Sequence, residues 1–280
     1  MWYNKAATDR SAATATPVSE RASMGRVIAV VNQKGGVGKT TTVINLGAAL
    51  AERQQRTLLI DLDPQAALSN SFGLQPDTLE HTIYNVLTGP DFPLAAVIHP
   101  VRPFLDLVPA NIDLAAAEVE LVSALGREYL LRDALEDIRH QYAFILFDCG
   151  PNLGLLTVNA LTAADEVLIP IICEFLAMRA IGMLIQTISR VKKRLNPNLR
   201  VLGILGTMYD ARTIHTREVL DELRSFLGKK VFDIVIKKSI RFAEAPAAHQ
   251  PILEYASRHP GAQAYRDLAE VIIHGEEEYR

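Results

Sequence analysis

Continuous apolar runs recur along the chain, and each has the length of a strand. They contain few polar positions and do not alternate, which is typical of strands that are buried on both faces of a parallel sheet. The runs predict strands over residues 26–31, 57–62, 104–108, 143–148, 166–170, 200–208 and 231–236.

Amphipathic segments separate these runs. Strands that alternate with helices indicate an α/β fold: a doubly wound, mainly parallel sheet with helices on both faces. Residues 74–103 are richer in proline, and we expect short helices and loops there, over one edge of the sheet. The helical spacing of apolar residues predicts helices over 40–54, 111–123, 127–140, 153–163, 178–195, 213–228 and 261–274.

A glycine-rich turn joins the first predicted strand to the first predicted helix, the setting of a phosphate-binding P-loop. Backbone N–H groups in such a turn surround an oxyanion, and glycines allow its close approach. We expect Lys39 along the β- and γ-phosphates and the Thr40 hydroxyl on Mg²⁺. The usual first glycine is replaced by Gln33. The turn consists of Lys34, Gly35, Gly36, Val37, Gly38, Lys39, Thr40 and Thr41.

Acidic residues follow two other predicted strands. Asp61 and Asp63 end one apolar run, and Asp148 ends another. The carboxyl ends of parallel strands meet at one edge of a sheet, where nucleotides bind. An acid after such a run is typical of the Walker B carboxylate beside magnesium.

Composition narrows the class of protein. The chain has 280 residues, 49% of them hydrophobic, and a net charge of −3, so DNA binding would require a local basic patch. Its two cysteines lack metal-site spacing, and with no signal or spanning segment we expect a cytoplasmic protein. Residues 1–24 lack periodicity and predict a disordered extension, with Met24 as an alternative start and a mitochondrial presequence as a weaker interpretation. We expect one P-loop ATPase domain over 25–280.

Five segments together resemble the ParA/MinD group of deviant Walker-A ATPases, most closely its ParA/Soj partition branch. The resemblance extends over residues 26–274. It implies a P-loop NTPase fold, with ATP and Mg²⁺ as cofactors. The segments are residues 32–41, 61–65, 148–161, 207–213 and 239–246.

The resemblance implies a role for each matching residue at the nucleotide. Lys34 is similar to the signature lysine that reaches the partner's phosphates across an ATP-sandwiched homodimer, and Asp63 to the catalytic aspartate that positions the attacking water. Lys39 and Thr40 keep the P-loop roles, while Asp61 and Asp148 are expected in or near the outer shell of magnesium. Met208 and Pro246 are expected at the adenine.

The resemblance also implies DNA and a protein partner. Arg212 and Arg241 match DNA-contacting arginines of the ParA/Soj branch, and we expect them, with Lys237 and Lys238, to bind DNA phosphates without sequence preference. The alternative is a rim of surface charge. A ParB-like centromere-binding protein is expected to stimulate a slow ATPase, for chromosome or plasmid segregation on the nucleoid.

Two segments depart from the family pattern, and three other functions are alternatives to a partition ATPase. Gly150 replaces a proline, and residues 177–180 (AMRA) reverse a charge near the expected dimer face. A MinD-like membrane-cycling ATPase would end in a basic amphipathic helix, whereas residues 272–280 are short and acidic, so no membrane partner is expected. An iron–sulfur relative would require cluster ligands that Cys149 and Cys173 do not match. A ParA-like ATPase that positions a non-DNA cargo shares the same motifs.

Overall fold

The strands lie in one sheet. The structure, a computed structural model, describes residues 24–89, 91–173 and 177–275, with the side chains of 177–180, 214 and 215 excepted. Its strands are β1 (Arg26–Val30), β2 (Thr57–Leu62), β3 (His99–Arg102), β4 (Leu105–Val108), β5 (Phe144–Cys149), β6 (Glu166–Ile172), β7 (Arg200–Tyr209) and β8 (Val231–Lys237).

The sheet order is β3-β4-β2-β5-β1-β6-β7-β8. All neighbouring pairs are parallel except β3 and β4. The carboxyl ends of β1, β2 and β5 therefore meet at the centre of one sheet edge, with Val30 and Asp61 both opposite Asp148 in register. The predicted α/β fold with a mainly parallel sheet is confirmed.

Strand β3 corrects the prediction for residues 74–103, where we expected only helices and loops. It pairs antiparallel with β4 at the edge of the sheet, and in the turn between the two strands Phe104 has a φ of 62°. Its side chains are only partly buried, so it lacks the continuous apolar run by which the other strands were predicted. Pro100 is compatible with this position because an edge strand has one unpaired side.

Helices cover both faces of the sheet. The predicted helices over 111–123 and 127–140 are shorter in the structure, and each gives way to a turn of 3₁₀-helix, at Leu121–Ser123 and Arg139–Gln141. The helices are α1 (Lys39–Glu52), α2 (Ala67–Ser71), α3 (Ile83–Thr88), α4 (Leu114–Glu120), α5 (Leu130–Leu135), α6 (Leu155–Ala163), α7 (Ala177–Arg194), α8 (Ile214–Leu227), α9 (Arg241–Ala247), α10 (Ile252–Tyr255) and α11 (Pro260–His274).

Two apolar layers flank the sheet, as the continuous runs predict. Along β1, Val27 and Ala29 pack into the layer that includes α6, α7 and α8, whereas Ile28 and Val30 pack into the layer of α1 and α11. The central strands are thus buried on both faces. This burial fixes the positions of the loops at their carboxyl ends.

Helices α1 and α11 are joined by polar contacts as well as by apolar packing. Thr42 Oγ1 lies 3.3 Å from the buried Tyr265 hydroxyl, and Arg266 makes a bidentate ion pair with Glu52 at 2.6 and 2.9 Å. Asn45 Oδ1 accepts a hydrogen bond from the Ile252 backbone N–H at 2.7 Å. The helix that follows the P-loop turn is therefore held by α10 and α11.

Three sequence predictions concern segments outside this description. The predicted extension over residues 1–24 lies outside the described residues apart from Met24. The acidic tail lies outside them after residue 275. The side chains of residues 177–180, where the family pattern is broken, are also not described.

Candidate nucleotide site and basic edge

The glycine-rich turn forms an open cradle between β1 and α1. Gly36 and Gly38 have φ values of 73° and 85°, a left-handed conformation that glycine adopts at little cost. A Cβ added at Gly35 or Gly36 would meet nothing within 4 Å, so these backbone positions border open space. The N–H groups that end the turn lie at the N-terminus of α1, where the helix dipole favours an anion.

Two polar side chains fix the cradle from behind. Asn32 is buried; its amide donates to the Pro170 carbonyl at 2.8 Å and its Oδ1 accepts from the Lys34 N–H at 2.9 Å. The Thr207 hydroxyl donates to the Val37 carbonyl at 2.8 Å. The turn is therefore tied to β6 and β7. Both residues fall in the motif segments, but only as parts of the pattern; no role was predicted for them.

Lys39 and Lys34 have different environments. Lys39 is 7% exposed, and its Nζ lies 3.4 Å from the Lys34 carbonyl oxygen. Burial lowers the pKa of Lys39, although the nearby acidic groups, chiefly Asp148, counteract this effect. Lys34 itself is exposed at the rim of the cradle. Lys39 thus provides a buried positive charge for an anion in the cradle. Lys34 provides a second positive charge at its mouth.

Asp148 is a buried carboxylate without a hydrogen-bond partner. Both of its oxygens are fully buried, and neither makes a hydrogen bond to the residues that the structure describes. Burial raises the pKa of Asp148 well above its usual range, and the neighbouring Asp61 raises it further. The Thr40 hydroxyl is near enough to lower this pKa, but its geometry falls short of a hydrogen bond. An acceptor of this kind fits the water shell of a cation.

Asp61 has a full set of partners. Its oxygens accept from the Ser69 N–H at 3.0 Å, from the Ser69 hydroxyl at 2.7 Å and from the Asp63 N–H at 3.1 Å. Burial raises the pKa of Asp61 to about 6, and these hydrogen bonds oppose the rise. Asp61 thereby anchors α2 and the backbone that carries Asp63.

Asp63 projects towards the segment that follows β5. Its Oδ1 accepts from the Gln65 N–H at 3.0 Å. A Cβ added at Gly150 would lie 3.6–3.8 Å from the Asp63 carboxyl group. The glycine that departs from the family pattern is therefore next to the predicted catalytic carboxylate.

Glu118 is a further residue of this region that sequence reasoning missed. Its carboxylate, from α4, accepts from the Leu156 N–H at 3.3 Å, and a Cβ at Gly154 would collide with it. It thus caps α6, whose own N-cap residue Gly154 has no side chain to do so. No local sequence signal indicates a cap that comes from a different helix.

The donor set fits magnesium that is held mainly through a nucleotide. Among residues 24–89, 91–173 and 177–275, no group of three or more His, Cys, Asp or Glu side chains is arranged to hold a metal ion. Magnesium in nucleotide sites usually keeps several waters and binds phosphate oxygens, with few protein ligands. The Thr40 hydroxyl and the unpartnered Asp148 match that arrangement.

A cavity of about 230 Å³ opens beside the cradle. Met208, predicted at the adenine, lines it and has a left-handed φ of 50°, a strained conformation for a non-glycine residue. Pro246, the other predicted adenine contact, lies in α9 and is not among the lining residues. The wall opposite the P-loop includes Ser239, Phe242 and Tyr265.

The predicted DNA contacts lie at one end of the sheet. Tyr209 of β7 pairs with Lys237 of β8, and the Lys238 N–H donates to the Tyr209 carbonyl at 3.1 Å. Arg212 follows β7 and Arg241 begins α9, so both extend from the same sheet edge. We call these four residues, Arg212, Lys237, Lys238 and Arg241, the basic edge.

Both arginines of the basic edge are paired with acids. Arg212 contacts Asp210 through Nε at 2.9 Å and Nη2 at 2.8 Å, and these hydrogen bonds lower the pKa of Asp210 to about 2. Arg241 pairs with Glu244 at 2.8 Å. These neighbouring acids reduce the positive charge that the sequence suggested for this surface.

Comparisons with known proteins identify the family. An AAA domain family matches residues 25–201. The chain is 44% identical to the chromosome partitioning protein ParA of Myxococcus xanthus, over 90% of this chain and 89% of that protein. It is 43% identical to the sporulation initiation inhibitor protein Soj of Bacillus subtilis, over 89% and 98%. The chain belongs to the ParA/Soj family of P-loop ATPases.

Solved structures agree with the ParA/Soj assignment of the fold. A Mycobacterium smegmatis protein named cobyrinic acid a,c-diamide synthase is 41% identical, with a TM-score of 0.81 over 92% of this chain and 97% of that one. It was solved with ADP and magnesium, and also with an ATP analogue and magnesium. These ligands agree with the predicted cofactors, ATP and Mg²⁺.

Two further findings concern the alternative functions, an iron–sulfur relative and a membrane-cycling ATPase. Cys149 and Cys173 are both buried, and burial raises the pKa of each thiol. Across the described residues, every helix is too short or too polar to cross a bilayer.

Proposed function

We propose that this protein is a DNA-segregation ATPase in which ATP controls a dimer that binds DNA. The observation that carries the proposal is the unpartnered, buried Asp148 beside an open phosphate cradle, at the same sheet edge as the basic edge. A nucleotide in the cradle and a DNA duplex on the basic edge would then contact neighbouring loops of one sheet. The cytoplasm, on the nucleoid, is the corresponding location.

The phosphates of ATP would bind in the cradle, and a magnesium ion held with them would offset the negative charge between the phosphates and the acids. Lys39 would lie along the phosphates, the Thr40 hydroxyl would ligate the metal and Asp148 would accept from its water shell. Ligands of this kind offset the free-energy cost of burying the Lys39 ammonium and the Asp148 carboxylate. Met208 lines the cavity and, in this proposal, contacts the adenine.

Hydrolysis depends on Asp63 and on a second copy of the chain. Asp63 orients the attacking water, while Lys34 of each protomer reaches the phosphates of the other. Phosphoryl transfer is catalysed mainly by positioning and charge neutralisation. A lone protomer lacks the lysine from its partner, so its hydrolysis is slow, and a ParB-like partner accelerates hydrolysis in the dimer.

DNA binds to the basic edge through its phosphates. A single edge contributes little, because Asp210 and Glu244 offset its two arginines. Two edges in an ATP-bound dimer double the number of phosphate contacts, and binding to a polyanion grows steeply with that number. DNA binding that requires ATP therefore follows from weak individual sites. The relatives named chromosome partitioning proteins indicate a chromosome as cargo.

The decisive test is binding of a fluorescent DNA duplex of mixed sequence in the presence of ADP or a slowly hydrolysed ATP analogue. We expect binding with the analogue only, and an affinity that falls about 1,000-fold between 50 and 200 mM salt. Equal binding with ADP would contradict the proposed switch. A nucleotide-dependent dimer without DNA binding, seen by light scattering, would favour a non-DNA cargo, and co-sedimentation with anionic vesicles would favour a membrane-cycling ATPase.

The name of the Mycobacterium smegmatis relative raises a second candidate, ATP-dependent amide formation on cobyrinic acid. Such a reaction would consume ATP only when the acid and a nitrogen donor are present. We expect ADP release to be unchanged by cobyrinic acid and glutamine, and to rise with DNA and a ParB-like partner. The opposite pattern, with an amide product seen by mass spectrometry, would support the synthase.

A further inference from the structure

We infer that His259 is a positioning residue, which orients the Ser239 hydroxyl as a hydrogen-bond donor towards the base of a nucleotide in the 230 Å³ cavity. The inference rests on the proposed nucleotide site and adds a residue to it. Helix α11 has an unusual residue at its N-terminus. The N-cap of α11 is His259, whereas serine, threonine, aspartate and asparagine are the residues favoured there.

The cap fixes the tautomer of the imidazole ring. The Gly261 backbone N–H donates to Nδ1 of His259 at 2.9 Å. A neutral imidazole has one acceptor nitrogen and one N–H, so Nε2 carries the proton. Nε2 lies 3.2 Å from Ser239 Oγ and therefore donates to it.

The Ser239 hydroxyl is thereby left with one direction in which to donate. Its oxygen accepts from His259 and also from the Arg241 backbone N–H at 3.2 Å. A hydroxyl has two acceptor lone pairs and one proton, so both lone pairs are occupied and the proton remains available. Ser239 lines the cavity, where the ring nitrogens of an adenine are acceptors.

Aromatic packing holds the imidazole in place. The Phe242 ring lies edge-on to the rings of His259 and Tyr265, with distances between ring centroids of 6.2 Å and 6.0 Å. Both Phe242 and Tyr265 line the cavity. A Cβ at Gly261 would lie 2.6 Å from the end of the Phe242 ring, so the residue after the Pro260 start of the helix must be small. The ring of His259 cannot turn without disturbing this packing.

The test compares ATP with inorganic tripolyphosphate, a probe that has the phosphates but no base. His259→Asn retains a good N-cap for Gly261 but has a side chain too short to reach Ser239. Ser239→Ala removes the proposed donor directly. We expect either change to weaken ATP binding about 3- to 10-fold, the effect of one hydrogen bond, and to leave tripolyphosphate binding unchanged. The double variant should lose no more than either single variant, because both changes remove the same contact.

Each other outcome overturns the inference. Parent-like ATP binding by His259→Asn or Ser239→Ala would show that the relay makes no contact with the base. An equal loss for ATP and tripolyphosphate would mean that the residues only support the fold. If the parent binds ATP but the variants behave in either of these ways, the proposed function stands and only this inference fails. A parent that binds neither probe would overturn both.

Discussion

The cradle and the basic edge lie on one sheet edge, but their charged side chains differ in burial and in pairing. In the cradle, Lys39 and Asp148 are buried and lack the partners that a bound nucleotide and metal would provide. On the basic edge, Arg212 is 89% exposed by side chain and already paired with Asp210. One region stores unsatisfied charge in the interior, while the other presents partly neutralised charge to solvent.

This difference predicts how amino-acid substitutions in each region affect ligand binding. A buried charge interacts strongly with its ligand because water is excluded, so a single substitution in the cradle should have a large effect. An exposed ion pair contributes little and is screened by salt, so substitutions on the basic edge should have small effects that accumulate. The following experiments test that contrast.

The largest effect is expected at Lys39. Lys39→Ala removes the buried cation of the cradle, and ATP affinity should fall about 1,000-fold, the consequence of leaving a desolvated charge partner unpaired. Titration with a fluorescent ATP analogue measures this loss. Lys192→Ala, at an exposed position in α7, is the control and should bind as the parent does. Lys34→Ala should bind ATP but fail to dimerise. If Lys39→Ala retained the nucleotide affinity of the parent, the expected difference between buried and exposed charges would be wrong.

A second large effect is expected at Asp63. Asp63→Ala removes the group that we propose to orient the attacking water, and hydrolysis should slow by about 100-fold or more. ATP binding should persist, so the variant should accumulate as an ATP-bound dimer, which size-exclusion chromatography detects. Asp77→Ala, at an exposed position, is the control. Hydrolysis by Asp63→Ala at the parent rate would show that another group positions the water.

Burial of acids in the cradle predicts how stability without nucleotide changes with pH. The pKa values of Asp61, about 6, and of Asp148 are raised in the folded state, so the folded protein binds protons that the unfolded chain releases above about pH 4. This contribution is present at low pH and is lost as pH rises through the folded pKa values. Each group contributes at most about 1.4 kcal/mol per pH unit.

The measurement is the melting temperature between pH 5 and 8, with and without magnesium and an ATP analogue. The nucleotide-free parent should lose stability as the pH rises, and Asp148→Asn should show a flatter dependence. Bound magnesium should flatten the dependence of the parent as well, because it favours the ionised carboxylate. A parent and an Asp148→Asn variant with the same slope would show that Asp148 is not the group responsible.

The smallest effects are expected on the basic edge, and their sign is informative. Arg212→Ala should weaken DNA binding several-fold and reduce the slope of log affinity against log salt by about 1 for each lost phosphate contact. Asp210→Asn should strengthen binding, because it releases Arg212 from its ion pair. Arg132→Ala removes an exposed arginine that is likewise paired with a neighbouring acid, Asp133, and serves as the control. DNA affinity that is the same in Asp210→Asn and Arg212→Ala would place the DNA elsewhere.

The predictable part of the structure is the part in which one short segment carries its own signal. Continuous apolar runs predicted the parallel strands, because burial on both faces favours apolar residues at successive positions. The order of glycines and lysines predicted the cradle, whose conformation is set by backbone geometry within a few residues. The acids at strand ends could be placed together from the general rule that such ends meet at one edge.

The rest depends on contacts between segments that are distant in sequence. The partners of Asp61 on α2, of Asn32 on β6 and of Leu156 on α4 cannot be derived from local pattern, because each arises only when the sheet assembles. Arg212 and Asp210 are close in sequence, but only the structure shows that they form an ion pair. That pair offsets the positive charge proposed to bind DNA. Strand β3 escaped prediction because an edge strand has one partner and no need of a continuous apolar run.

The contact between α1 and α11 has a consequence for biosynthesis. Thr42 and Tyr265 are 223 positions apart, and a ribosome adding roughly 5–20 residues per second needs roughly 10–45 s to produce the second after the first. During that interval the helix of the P-loop lacks the support of α11, including the pairing of Glu52 with Arg266. A nascent chain should therefore gain its full affinity for ATP only after α11 has been synthesised. Nascent chains that still lack α11 would then not compete for nucleotide with chains that contain it.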